Sequence, residues 1–144
     1  MMPEQNFENH GRTVVGYHIV TTLLLVIPLV WFGWRLGADF SVDRLMLFVL
    51  TLGVVFAAFY ARAFALGVQD RVIRAEERAR MARLLPAELR ARIDDFTTDQ
   101  LIATRFASDE ELPDLARRVL LGEFTDRKGI KRAVKVWRAD LERI

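Results

Sequence analysis

The sequence predicts an all-α membrane protein, a two-helix transmembrane hairpin followed by a cytoplasmic helical domain. Three observations predict it. Residues 14–34 (VVGYHIVTTLLLVIPLVWFGW) contain no Asp, Glu, Lys or Arg in 21 positions. Residues 45–61 (LMLFVLTLGVVFAAFYA) form a second uncharged run of 17, and the span extends to residue 66 by taking in Arg62. From residue 69 onward the chain is strongly charged, with helical spacing and no strand-like alternation. A bilayer core of about 30 Å is crossed by about 20 apolar residues in a helix, and both runs approach or meet that length.

Residues 1–13 (MMPEQNFENHGRT) read as a polar, cytoplasmic tail. The run that follows is too long for a signal-peptide core. It also carries Trp31 and Trp34, and Glu4 and Glu8 precede it beside the single Arg12. Pro28 lies inside this first span, where lipid-embedded helices tolerate proline. Trp31, Phe32 and Trp34 cluster at its exit as an interfacial aromatic belt does. His18 lies about one turn inside. It is a weak candidate pigment ligand, and the simpler reading is a hydrogen bond near the interface. His10 reads as a surface or docking residue.

Residues 35–44 (RLGADFSVDR) form the expected periplasmic loop, with Arg35 and Arg44. The exit of the second span is richer in arginine: Arg71, Arg74, Arg78, Arg80 and Arg83. Positively charged flanks stay cytoplasmic, so both termini are expected on the cytoplasmic face of a bacterial inner membrane. In the second span Gly53, Ala57, Ala61 and Ala65 recur every fourth residue and offer a helix-packing face, either for the first span or for a partner's helix. Arg62 falls about 25 Å along this span at 1.5 Å per residue. That is headgroup level, where a long cation snorkels. The rival reading is a buried cation holding a carboxylate or a ligand.

Nothing interrupts residues 61–85, so one helix continues out of the span. Glu76 and Glu77 are spaced to pair with Arg80 on its surface. Residues 69–144 form the cytoplasmic helical domain. Pro86 starts a short helix. Thr97 with Gln100, and Ser108 with Glu111, have capping-box spacing, although Pro113 moves the second helix to about residues 113–121. Gly122 is a stop. Thr125 caps a last helix through residues 126–144, whose apolar stripe is Ile130, Ala133, Val134, Trp137 and Leu141. Lys128, Lys131, Arg132, Lys135 and Arg138 cover its other side. These cations and Trp137, together with Arg62, are the expected partner- or lipid-docking residues. The alternative is that Trp137 covers the domain's own core beneath a solvated basic face.

The absence of cysteine excludes disulfides, thiolate metal sites and cysteine nucleophiles. No phosphate loop, zinc signature, nucleophile elbow or dinucleotide fingerprint occurs. The acidic run SDEELPD lacks the alternating ligands and central glycine of a calcium loop. The expectation is therefore no catalytic residue, no metal and no cofactor held by a motif of its own. A net charge of +2, with acids spread through the charged part, argues against nucleic acid.

Four stretches, QNFENHGR, RAFALGVQDRVIRAEERAR, RFASDEELPDLARRV and IKRAVKVWRADLERI, occur in that order over nearly the whole chain. Together they resemble a family of small bacterial two-span membrane proteins without assigned activity. The chain also looks like an accessory subunit of a bacterial photosynthetic reaction centre–light-harvesting assembly. That resemblance implies other membrane subunits and anionic lipid as partners. It also implies bacteriochlorophyll, carotenoid or lipid nearby, with pigments held mainly by the other subunits. The function expected is non-catalytic: scaffolding or stabilising a large inner-membrane complex. The alternative is a free-standing anchored adaptor that recruits a soluble partner.

Overall fold

A computed structural model describes residues 6–8 and 14–140; His10, Arg12 and Leu141 lie outside the described residues. All regular elements within it are helical. A π-helical turn, Gly16–Thr21, leads into α1, Thr22–Ala38. Then come α2, Val42–Leu84; α3, Ala87–Arg90; a 3-10 turn, Ile93–Asp95; α4, Thr98–Thr104; α5, Leu112–Leu120; and α6, Arg127–Ala133. Contacts divide the chain into two units, Thr13–Leu66 and one built on Gly67–Ile144, to which residues 6–8 also belong.

In the first unit α1 and α2 run antiparallel. Gly33 of α1 lies against the ring of Phe48, close enough that a Cβ on it would sit 3.3 Å from that ring. Near the open end Arg62 stands 5.5 Å from the ring centroid of Tyr17. The connection is shorter than the sequence suggests, because residues 35–38 and 42–44 are helical. Ser41 makes this possible. Its Oγ accepts the N–H of Arg44 at 3.2 Å, satisfying one of the donors that a helix start leaves open. Arg44 also pairs with Asp39 across the turn. Gly16–Ala38 and Val42–Leu84 are each long and apolar enough to cross a membrane, and their most apolar stretches bury nothing within the chain.

The helix α2 is unbroken over 43 residues. In the second unit it turns one stripe, Ile73, Glu77, Arg80 and Met81, into a small core. That core gathers Met81, Leu85, Leu89, Phe96, Leu101, Leu112, Leu115, Val119 and Ile130 from every helix of the unit. Each large apolar side chain buried there contributes about 1.5–3 kcal/mol.

Local signals set the boundaries. Thr97 and Gln100 form the expected capping box at α4: Thr97 Oγ1 accepts from Gln100 N at 3.2 Å, and Gln100 Oε1 accepts from Thr97 N at 2.8 Å. Gly122 ends α5 at φ 77°, a left-handed conformation suited to glycine. There Gly122 N donates to Val119 O, and Glu123 N to Arg118 O. The cap of α6 is Asp126, one residue beyond the expected Thr125; its carboxylate accepts Gly129 N at 2.6 Å.

The last helix is much shorter than its periodicity implies. It ends at Ala133; residues 134–140 are not helical, with bends at Lys135 and Val136 and a single bridge at Trp137. The reason is competition for backbone donors. The Glu111 carboxylate accepts the N–H groups of Lys135 (2.9 and 3.1 Å) and Val136 (2.9 Å), which a continuing helix would have used internally. Ser108 N donates to Val136 O at 3.0 Å and Arg138 N to Phe106 O at 2.7 Å, forming an isolated antiparallel bridge between Ala107 and Trp137. Residues 134–140 thus form a strap held across the end of α4. Trp137 lies on this strap and not on a helical stripe.

Candidate functional site

The most elaborate polar arrangement is in the second unit, around Arg80. Burial of Ile73 and Met81 on either side carries Arg80 inward, leaving it 4% exposed. All five N–H groups of its guanidinium are used. Nε and one terminal nitrogen donate to Asp109 Oδ1, at 2.9 and 2.6 Å. The same terminal nitrogen donates to Ala107 O at 2.7 Å. The other donates to Glu77 Oε2 at 3.2 Å and to Arg105 O at 3.4 Å. A cation placed on the carbonyls that follow α4 satisfies groups a helix end leaves open, and it sits favourably on the helix dipole.

Glu77, also 4% exposed, lies between Arg80 and the strap. Its other oxygen is 3.6 Å from a terminal nitrogen of Arg138. Burial raises the pKa of Glu77, against the opposing pull of Arg80, Arg138 and Arg105. Asp109 is lowered, mainly by its hydrogen bond from Arg80. Arg105 pairs with Asp140 of the strap at 3.0 Å. Its guanidinium and the Lys131 ammonium both approach the Phe106 ring, at 4.5 and 4.9 Å from the centroid. Trp137 stacks on that ring at 4.6 Å.

A cleft of about 90 Å³ lies beside Glu76, Glu77, Arg105, Arg138 and Asp140. It has room for a few waters, whereas small-molecule pockets run to about 300–1,000 Å³. Among the described residues no cluster of three His, Cys, Asp or Glu side chains is arranged to hold a metal ion. The chemistry of this network is adhesion: it fastens α2, the end of α4 and the strap to one another.

The residues expected to dock partners or lipid are distributed differently. Lys128, Arg132, Lys135 and Arg138 are exposed, Arg132 with its guanidinium 5.2 Å from the Phe7 ring. Lys131 is not on the solvated face; it is 8% exposed and points at Phe106. It lies beside Ile130 within α6, and both are buried, Lys131 over the ring of Phe106. Trp137 is half-buried on Phe106 within its own unit.

Arg62 is half-buried over Tyr17 in the hairpin. His18 Nδ1 is 3.1 Å from both N and O of Val14, inside the π-helical turn. Gly53, Ala57 and Ala61 are exposed, and Ala65 is half-buried. Nothing lies within 4 Å of where a Cβ on Gly53 would be, so the close approach within the hairpin is at Gly33 and not on this stripe.

The sequence reading missed Arg105, Asp109 and Asp140 as site residues. It assigned Glu77 and Arg80 to a wet helix surface and Glu111 to a capping box. The available signal was the position of Glu77 and Arg80 on the same stripe as Ile73 and Met81. Glu76 faces solvent and does not pair with Arg80.

Residues 2–144 match the family of unknown function DUF6526. The chain belongs to that family. No curated protein and no solved structure is significantly similar to it. Within DUF6526, this chain joins two long apolar helices to a small helical unit closed by an ionic network.

Proposed function

We propose that this DUF6526 protein is a non-catalytic subunit of a large bacterial inner-membrane complex, spanning the membrane twice with both termini and the Gly67–Ile144 unit in the cytoplasm. The observation that carries this reading is the uncovered hairpin. Leu24, Ile27, Val30, Leu50, Phe59 and Phe64 are each more than 60% exposed. Soluble monomers rarely leave so much contiguous apolar surface bare, and lipid or other subunits' helices would cover it. Arg71, Arg74 and Arg83, exposed just beyond the apolar stretch of α2, support the cytoplasmic assignment by the positive-inside rule. The ionic network supports a structural role for the second unit, because its polar groups are spent on holding the unit together.

Gentle solubilisation followed by sizing tests the proposal. A subunit elutes in a large particle at fixed stoichiometry, whereas elution alone would favour the adaptor reading. The photosynthetic assembly is the particle to test first, on the strength of the resemblance alone, and co-eluting bacteriochlorophyll absorbance is the readout for it.

A further inference from the structure

Beyond the hairpin, α2 carries two faces. One is buried in the second unit through Ile73, Glu77, Arg80 and Met81. On the opposite side, at 100° per residue, lie Val68, Val72, Ala75, Ala79 and Ala82. All five are exposed, Val68 by 60% and Val72 by 49%. Their spacings are four, three, four and three residues, the alternation of a helix seam that packs against another helix. This apolar line runs through the most heavily charged part of the helix, where every neighbouring exposed position from 71 to 76 except Ala75 and Val72 is Arg or Glu.

The flanking charges point to the occupant. Arg71 borders the seam on one side and Glu76 on the other, five residues later. In a parallel two-helix pairing, positions so related meet across the seam. Neither residue has an ion pair among the described residues, and both are exposed. The next pair in that relation, Arg78 and Arg83, would be repulsive. Arg78, however, is half-buried and turned to Asp94 of its own unit at 3.3 Å. One chain thus carries both halves of a complementary pair.

We propose that this seam docks a second copy of the same chain, forming a parallel stem-to-stem dimer with Arg71 of each copy facing Glu76 of the other. The parallel arrangement rests on the membrane reading above, since two copies in one bilayer share an orientation. The alanines at positions 75, 79 and 82 let the two backbones come close, as small residues do at helix crossings.

Single-cysteine scanning of the full chain in membranes tests this, because the native sequence has no cysteine. Ala75→Cys and Ala79→Cys should give disulfide-linked dimers of twice the chain's mass on mild oxidation, and Arg74→Cys, exposed but off the seam, should give little. Glu76→Arg should weaken dimerisation about fivefold, two symmetric pairs each acting with the strength of an exposed ion pair. Adding Arg71→Glu should restore it. Equal cross-linking at positions 74, 75 and 79, no dimer from either seam position, or a covalent product with a different protein would overturn the proposal. Alkaline extraction of the same membranes reads insertion separately, so loss of the dimer and loss of the membrane reading are distinguishable.

Discussion

Arg80 donates two hydrogen bonds to Asp109, both to Oδ1, while its remaining N–H groups reach Glu77 and two carbonyls beyond α4. One side chain of α2 therefore determines where α4 ends and where the following turn lies. Removing it strands Glu77 as a buried charge without its nearest partner. Arg80→Ala should cost roughly 3–5 kcal/mol, the usual consequence of breaking a buried pair from one side. Adding Glu77→Gln should recover part of that loss. Urea unfolding, followed through Trp137 fluorescence in a Trp31→Phe, Trp34→Phe background, measures both.

Glu77 and Asp109 give opposite pH dependences. The folded pKa of Glu77 is raised by burial. Its contribution to stability is therefore fully present below the unfolded carboxylate value and is lost as pH rises through the folded one. Asp109 is lowered by Arg80, so its contribution is present above the unfolded value and is lost as pH falls through the folded one. Glu77→Gln should flatten the stability profile above the ordinary glutamate range. Asp109→Asn should flatten it below the ordinary aspartate range, and only modestly, because that carboxylate is largely exposed. A pH series of unfolding midpoints for both variants checks the signs. An identical change in the two profiles would contradict them.

Glu111 should control the strap. Glu111→Ala removes the acceptor for the N–H groups of Lys135 and Val136 and should loosen residues 134–140 at a cost of roughly 1–3 kcal/mol. Glu111→Gln keeps one acceptor oxygen and should lose less. Hydrogen exchange at Lys135 and Val136, with acrylamide quenching of Trp137, reports the strap directly.

The two hairpin glycines should respond differently. Gly33→Leu drives bulk into Phe48 and should destabilise the hairpin by roughly 1–3 kcal/mol. Gly53→Ala meets open space and should be neutral, or stabilising by up to about 1 kcal/mol through helix propensity. Denaturant titration of the solubilised chain compares them. If Gly53→Leu leaves the hairpin intact but releases the chain from a larger particle, the Gly53, Ala57, Ala61 stripe faces a neighbour.

The pattern of what the sequence revealed has a physical logic. The two apolar helices, the unbroken course of α2, the Thr97–Gln100 box and the Gly122 stop depend on residues close together in the chain, and all were readable. The end of α6 depends on Glu111, 24 residues upstream of Lys135. No periodicity in residues 126–144 carries that information, and so a helix was expected where a strap lies. Lys131 is buried by Phe106, which is 25 residues upstream and equally invisible to that periodicity. Arg80 and Glu77 looked like a surface pair because i,i+3 spacing is the same on either face of a helix. Only the burial of Ile73 and Met81 distinguishes the faces.

The ionic seam through Glu77, Arg80 and Arg105 also bears on how this unit responds to heat. Taking ions out of water is the main cost of such a core, and ionic hydration becomes less favourable as temperature rises. The network should therefore hold the unit more firmly, relative to its apolar contacts, in a warm cell than in a cold one. Coupling between Arg80 and Glu77, measured by a double-mutant cycle at several temperatures, should grow on warming. Chilling would then be the harsher challenge to the strap and to whatever depends on its position.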